Sequence, residues 1–181
     1  MSKNRLAGRM IKNGKRRGEW AEMVFAVRAM ELGLSLARPW GESSGYDFTV
    51  DQGSRIVRVQ VKSTIFKEGE EGYSCSLKDS KGPYKKGTFE FVAAYVIPED
   101  VWFILPEKII RGMWSVGLHP KLETAKYREY QEAWHLLRGG KPGTVDRIQA
   151  CAERPVLRLW YSVVNWLGRA APSVLAARFL R

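Results

Sequence analysis

The chain has 181 residues, enough for one domain with a substantial apolar core. Hydrophobic residues make up 45% and charged residues 27%, which is typical of a globular protein and argues against a disordered one. The formal net charge of +11 favours a polyanionic partner, either nucleic acid or an anionic membrane surface, and does not choose between the two.

The cysteine pattern excludes a disulfide scaffold and a zinc site of the usual spacing. Cys75 and Cys151 lie far apart, and neither belongs to a CxxC pair. The basic N-terminus is not followed by the apolar core of a signal peptide, and no run of about 18 uncharged apolar residues is present. We therefore expect two free thiols in a cytoplasmic protein without a membrane span.

The first 17 residues carry several lysines and arginines and no acid, which predicts a basic N-terminal arm. Gly8 and Gly14 weaken any helix in this arm. It either contacts the phosphates of a nucleic acid or is a solvated, frayed terminus.

Residues 19–34 are predicted to form an amphipathic helix that ends near Gly33. Its predicted buried stripe consists of Trp20, Met23, Val24, Val27 and Met30. Glu19 and Glu22 are one turn apart near its start, where acids complement the helix dipole or serve a nearby site. A polar loop over residues 36–44 follows, and its Glu42 and Ser44 either approach a bound phosphate or are ordinary loop residues.

Residues 45–64 predict a β-hairpin with a tight turn at Asp51–Ser54. Asp47 begins the first strand, whereas Gln60 and Lys62 end the second and, two residues apart, share one face. The hairpin therefore brings a carboxylate, an amide oxygen and an ammonium group within a few ångströms of each other. Such a group can hold a divalent cation and stabilise a reacting phosphate.

Three further strands are predicted in the middle of the chain. Residues 73–77 alternate as a strand, and a lysine-rich loop over residues 78–87 either contacts phosphate or is simply solvated. Residues 91–97 and 101–105 predict an apolar hairpin at the centre of the sheet, and residues 107–111 begin a short helix.

The C-terminal third predicts a loop over residues 114–120 and a helix over residues 122–137. Residues 138–143 are rich in glycine and form the predicted linker. The basic tail beyond it, with an apolar, tryptophan-bearing stretch at residues 156–167, either packs on the core, forms a subunit contact, lies over nucleic acid or binds a membrane surface.

Asp47 followed by Gln60-Val61-Lys62 after a short turn resembles the PD-(D/E)XK nuclease superfamily. It is most similar to the Gln-containing branch of homing endonucleases associated with bacterial group I introns, although Tyr46 stands where the superfamily name has Pro. Residues 18–22, Gly-Glu-Trp-Ala-Glu, resemble the acidic first helix of the same superfamily. The resemblance covers roughly residues 18–106.

The resemblance implies an α/β fold, with a mixed central β-sheet flanked by helices in a restriction-endonuclease-like core over residues 18–138. It implies hydrolysis of duplex DNA with Mg²⁺, or Mn²⁺ in its place, in a homing, junction-resolving or defence role. Because one site cuts one strand, double-strand cleavage implies a homodimer or tetramer. Gln60 contributes no formal charge, so a catalytically inactive nucleic-acid-binding module with the same fold stays open as an alternative.

The resemblance also implies roles for individual residues. Asp47, the Gln60 side-chain oxygen, the Val61 carbonyl and Glu22 hold the metal, with Glu19 as the alternative to Glu22. Lys62 orients and activates the attacking water or stabilises the developing charge. The candidate DNA contacts are Lys12, Lys15, Arg16, Arg17, Ser44, Lys81, Lys85 and Lys86.

Overall fold

The structure is a computed structural model that describes residues 11–41, 44–79 and 82–141. These residues lie in the first of two compact units of the chain, residues 1–144. The predictions for Glu42, for Lys81 and for the tail beyond residue 141 lie outside the described residues.

The described elements follow one another in chain order. The helices are α1 (Gly14–Glu31), α2 (Glu107–Ile110) and two 3-10 helices, Arg128–Tyr130 and Trp134–Arg138. The strands are β1 (Ser35–Ala37), β2 (Phe48–Asp51), β3 (Ile56–Thr64), β4 (Lys67–Glu68), β5 (Gly72–Ser76), β6 (Lys78–Asp79), β7 (Gly82–Pro83), β8 (Phe91–Val96), β9 (Val101–Pro106) and β10 (Ser115–Leu118).

A mixed five-stranded sheet in the order β1-β2-β3-β8-β9 forms the centre of the fold. Strands β3 and β8 run parallel, and the other neighbours are antiparallel. This sheet confirms the predicted α/β class. The β8–β9 hairpin was expected at the centre, which is wrong, because β3 takes that place by pairing with β2 on one side and β8 on the other.

The crossover from β3 to β8 carries β4, β5 and the two-stranded hairpin β6–β7. Strand β10, which follows β9, joins β5 and β4 in a second, antiparallel sheet of order β10-β5-β4. The predicted loop over residues 114–120 is therefore wrong, because β10 pairs with β5 along its whole length. The hairpin β6–β7 lies in the segment predicted as a lysine-rich loop.

Helix α1 begins earlier than predicted. The Asn13 side chain accepts a hydrogen bond from the Arg16 N–H at 3.1 Å and caps the helix, so Lys15, Arg16 and Arg17 lie in its first turns and not in an extended arm. At the other end the Gly33 N–H donates to the Met30 carbonyl, and Gly33 adopts φ 74°, a left-handed conformation that suits glycine.

The buried face of α1 differs from the predicted stripe. Ala21, Phe25 and Ala29 are buried, whereas Met23, Val27 and Met30 are 64%, 53% and 59% exposed. The cause is an aromatic cluster that receives Phe25, whose ring centroid lies 5.4–5.7 Å from those of three side chains: Phe48, Trp102 and Trp134. Because Phe25 packs into this cluster, Met23, Val27 and Met30 of the predicted stripe face solvent.

The predicted helix over residues 122–137 is also wrong. The segment consists of turns and the two 3-10 helices, because Glu132 leaves the helical conformation with φ 50° to bind the edge of β9. Its N–H donates to the Trp102 carbonyl at 2.7 Å, and its carboxylate accepts from the Trp102 N–H at 2.7 Å. Several of the segment's large apolar residues are nevertheless buried, at Tyr127, Tyr130, Trp134 and Leu137.

None of the helices in the described part of the chain is both long enough and apolar enough to cross a membrane.

Candidate active site

The site forms where β2 parts from β3. The two strands pair from Asp51↔Ile56 to Phe48↔Val59, and β3 continues to Thr64 without β2 beside it. Asp47 stands at this fork, and its N–H donates to the Val59 carbonyl at 3.0 Å. Buried Phe48 and Val59 anchor the fork, so the position of Asp47 follows from the register of the hairpin.

The Asp47 carboxylate binds directly to β3. Its Oδ2 accepts from the Val61 N–H at 2.7 Å and from Gln60 Nε2 at 2.6 Å. Gln60 is 8% exposed, and its Nε2 also donates to the Val61 carbonyl at 3.3 Å. The Gln60 amide nitrogen thus lies between Asp47 Oδ2 and the Val61 carbonyl oxygen, and its partial positive charge offsets the negative charge on these two atoms.

Helix α1 contributes the second carboxylate. Glu22 Oε2 lies 2.8 Å from Arg38 Nη2, and the side chains are 18% and 63% exposed respectively. Glu19 is exposed, one turn earlier on the same helix. Glu22 is therefore the more enclosed of the two acids considered for the site.

Both carboxylates border a cleft of about 300 Å³, called here the Glu22–Asp47 cleft. Its polar lining includes Lys15, Glu19, Glu22, Arg38, Ser44 and Asp47. Of the proposed DNA contacts, the structure brings Lys15 and Ser44 to this cleft.

The other described DNA-contact candidates lie outside the cleft lining. Lys12 and Arg16 are exposed, and Arg17 donates to the Ile11 carbonyl at 3.2 Å. Lys85 and Lys86 are exposed beside two other cavities.

Enclosure shifts the titration of both acids. Burial raises the pKa of Asp47 above its ordinary value, although the Val61 N–H, the charges of Lys62 and Arg38 and the Gln60 amide oppose the shift. Burial raises the pKa of Glu22 as well, and the neighbouring Asp47 charge adds to it, while Arg38 and Lys62 act in the opposite direction. The protein therefore does not fully offset the negative charges of Asp47 and Glu22 when both are ionised.

Lys62 is held from the side of the β6–β7 hairpin. Its Nζ donates to the Lys78 carbonyl at 3.2 Å and lies 5.1 Å from the centroid of the Tyr84 ring. The ammonium group lies near enough to both carboxylates to lower their pKa values. The lining of the Glu22–Asp47 cleft does not include Lys62, so in this structure its ammonium group acts on the two acids through its charge.

Sequence reasoning missed three members of this arrangement: Arg38, the Lys78 carbonyl and the Tyr84 ring. Arg38 contacts a residue 16 positions away, and no local pattern distinguishes it from an ordinary loop cation. Tyr84 lies in the segment predicted as a lysine-rich loop, and only the hairpin β6–β7 explains its approach to Lys62.

The donor set suits a hard divalent cation better than zinc. Within the described ranges, no three His, Cys, Asp or Glu side chains cluster as a metal site. Two carboxylates, an amide and a backbone carbonyl are the oxygen donors that Mg²⁺ and Mn²⁺ accept. A cation there would also relieve the repulsion between Asp47 and Glu22. Gln60 would have to turn its amide so that Oε1 replaces Nε2 toward the cation.

Comparisons with known proteins place the chain in a family and beside a similar solved structure. The model of the PD-(D/E)XK endonuclease family matches residues 12–137, which include every residue of the site. A solved structure titled as that of a bacterial homing endonuclease, I-Ssp6803I, is similar with a TM-score of 0.60 and 25% sequence identity. The match covers 70% of this chain and 92% of that one. Among curated proteins, none is significantly similar to this sequence.

Proposed function

Because the chain belongs to the PD-(D/E)XK endonuclease family, we propose that it is a metal-dependent endonuclease that hydrolyses phosphodiester bonds in duplex DNA. The observation that carries the proposal is the Asp47 carboxylate, bound to the Val61 N–H and the Gln60 amide, with the charges of Glu22 and Lys62 close by. The formal charge of +11 supports a polyanionic substrate.

In this mechanism Asp47, Glu22, the Val61 carbonyl and the Gln60 Oε1 would hold the cation. A bound Mg²⁺ or Mn²⁺ would supply charge neutralisation at the scissile phosphate and would make water a stronger nucleophile. Lys62 orients the attacking water and stabilises the negative charge that develops on the phosphate. The products carry a 5′-phosphate and a 3′-hydroxyl.

A homing role is the version of this function that the comparison supports. The similar solved structure is named as a homing endonuclease, and the match spans nearly the whole of that chain. Cleavage of long duplex DNA at a rare sequence is the expected behaviour, whereas a junction-resolving enzyme would prefer a four-way junction. Double-strand cleavage would further require a dimer or tetramer, which sedimentation of the protein measures.

A second candidate is a nucleic-acid-binding module that has lost catalysis. The orientation of Gln60 favours it, because the amide already offsets Asp47 Oδ2 and the Val61 carbonyl without a metal. In that case the protein would bind duplex DNA and leave it intact.

A plasmid-nicking assay separates the two candidates. We expect nicking with Mg²⁺, no nicking with EDTA, and a loss of about 10²–10⁴-fold in Lys62→Met, which removes the ammonium group. Lys67→Met is the matched control, because Lys67 is an exposed lysine on β4 whose Nζ lies 3.5 Å from the Glu70 carbonyl. Duplex binding in Ca²⁺ should be nearly unchanged in both variants. A wild-type protein that binds duplex DNA but, with Mg²⁺ or Mn²⁺, cuts neither the plasmid nor any member of a randomised duplex library would establish the inactive module instead, because an enzyme with a rare target leaves most plasmids intact.

A further inference from the structure

Arg38 is the one cationic side chain in the described residues that forms an ion pair with a carboxylate of the Glu22–Asp47 cleft. It follows β1 directly and precedes Pro39, which restricts its backbone to extended conformations. The backbone is thus restrained while the side chain, 63% exposed, reaches across to Glu22.

The Arg38–Glu22 ion pair places a guanidinium group where it would compete with a divalent cation for the Glu22 carboxylate. Arg38 Nη2 lies 2.8 Å from Glu22 Oε2, and its charge also acts on Asp47. A divalent cation bound by these two carboxylates would lie close to the guanidinium and be repelled by it. Cation binding and the Arg38–Glu22 contact therefore oppose each other.

The Arg38 side chain, which a cation would displace from Glu22, is well suited to bind a phosphate group. Exposed ion pairs contribute little to stability, so a doubly charged ion can replace the guanidinium at Glu22. The planar guanidinium presents two parallel N–H donors that match the oxygens of a phosphate diester. Arg38 lines the same cleft as Lys15 and Ser44, so phosphate in the cleft is within the range of its rotamers.

We propose that Arg38 exchanges partners: it neutralises Glu22 in the metal-free protein, and it binds a backbone phosphate of the DNA once a divalent cation has taken Glu22. The inference rests on the proposed function, because it requires a cation and a DNA strand in the cleft. Its consequence is positive coupling, in which cation binding strengthens DNA binding and DNA binding strengthens cation binding.

The test compares Arg38→Gln with Arg28→Gln. Arg28 is the matched control, because it lies on α1 and pairs with Glu31 at 3.3 Å. Both substitutions remove one positive charge from an ion pair, but Arg28 is not part of the cleft lining. Mn²⁺ affinity is measured by calorimetry without DNA, and duplex affinity is measured by fluorescence anisotropy with EDTA and with Ca²⁺, which permits binding without cleavage.

We expect Arg38→Gln to bind Mn²⁺ about two- to fivefold more tightly than wild type, because a competing charge is gone. Its duplex affinity in Ca²⁺ should fall about three- to tenfold, because a charge-assisted contact to phosphate is lost. The gain in duplex affinity from EDTA to Ca²⁺ should shrink accordingly. Arg28→Gln should match wild type in Mn²⁺ affinity and in that gain.

A merely structural role of Arg38 would not make Arg38→Gln bind Mn²⁺ more tightly and duplex DNA more weakly. Unchanged or weaker Mn²⁺ binding in Arg38→Gln, or duplex affinity equal to that of Arg28→Gln, overturns the exchange while leaving the proposed function intact if wild type still nicks DNA. A wild-type protein that binds no Mn²⁺ with or without DNA overturns both.

Discussion

Two carboxylates bind strand β3, Glu90 at Arg58 and Asp47 at Gln60 and Val61, and they differ in the charge of their partners. At Arg58 the Glu90 carboxylate accepts from the Arg58 N–H at 2.6 Å, from Nε at 3.2 Å and from Nη2 at 2.6 Å. At Gln60 the Asp47 carboxylate accepts from a backbone N–H and a neutral amide. One acid has a guanidinium bound to both of its oxygens, and the other has no cationic hydrogen-bond donor.

The titration of the two acids reflects this difference. Burial acts to raise the pKa of Glu90, but the hydrogen bonds and charge of Arg58 outweigh it and hold the pKa below its ordinary value. Burial raises the pKa of Asp47, and its partners do not fully oppose the shift. The comparison teaches that Glu90 is a structural acid with its counterion built in, whereas Asp47 has no cationic hydrogen-bond donor in the described residues and is the acid that the proposed function pairs with an external cation.

The largest effect is expected from Asp47→Asn, which should lower cleavage by about 10²–10⁴-fold and yet stabilise the metal-free fold at neutral pH. Because the folded-state pKa lies above the ordinary 3.8, the folded protein binds this proton more tightly than the unfolded chain. Stability therefore falls as pH rises through that window, and ionised Asp47 destabilises the fold above it. Thermal unfolding in EDTA should give a higher Tm for the variant at pH 7.5 and a difference that shrinks toward pH 4.

Asp51→Asn is the control for this prediction. Asp51 is an exposed carboxylate at the end of β2, the strand that Asp47 directly precedes, and its Oδ1 accepts from the Gly53 N–H at 2.7 Å, which an asparagine can also do. Its Tm should stay close to that of wild type. A lower Tm for Asp47→Asn than for wild type at pH 7.5 would mean that Asp47 is compensated as well as Glu90 is, and the comparison would fail.

Glu90→Gln should have the opposite profile, with cleavage retained and stability lost. The lowered pKa of Glu90 means that its ionised form stabilises the fold above the ordinary 4.5 and that this contribution disappears as pH falls. We expect a loss of about 1 kcal/mol in the free energy of unfolding at pH 7, reduced by solvent screening because both side chains are about a third exposed. Urea denaturation at pH 7 and pH 4 measures it.

The matched control is Glu123→Gln, which breaks a similar pair, Arg128 Nη2 to Glu123 Oε1 at 2.8 Å, with Glu123 80% exposed. That change should cost almost nothing. Equal losses in the two variants would show that the Arg58–Glu90 pair is no more than a surface contact.

Local patterns predicted β2, β3, β5, β8 and β9, but neither the remaining short strands nor the helical packing. The alternation of β2 and β3 fixes both strands and their turn, because one residue of slippage would expose the buried valines at positions 57 and 59. Helix α1 carries apolar residues on several sides, so its sequence allowed the stripe of Met23 and Val27 as well as the observed face of Phe25. The choice came from distant rings, Trp102 and Trp134, which no local window contains.

The same limit applies to the site. Asp47 and Gln60 are 13 residues apart and meet through hairpin register, so the sequence predicted their proximity. The Arg58–Glu90 pair spans 32 residues and forms between parallel strands, which local pairing rules do not reach. Arg38 and Tyr84 arrive on separate loops and depend on tertiary packing in the same way.

Gln60→Glu gives the smallest expected change in activity and the sharpest test of the difference between the two acids. Without a cation the new carboxylate would face Asp47 Oδ2 and the Val61 carbonyl, so the Tm in EDTA should fall. Mg²⁺ should restore it, because a site with one more negative charge binds the cation more tightly and ligand binding stabilises the fold. Cleavage at saturating Mg²⁺ should stay within about tenfold of wild type, equivalent to ~1.4 kcal/mol in the barrier. Gln52→Glu is the control, because Gln52 does not line the Glu22–Asp47 cleft. Its Nε2 donates to the Leu136 carbonyl at 3.2 Å, and its Oε1 accepts from Arg55 Nε at 2.8 Å. If Mg²⁺ raises the Tm of both variants equally, the restoration does not come from this site, and Asp47 then needs no external counterion.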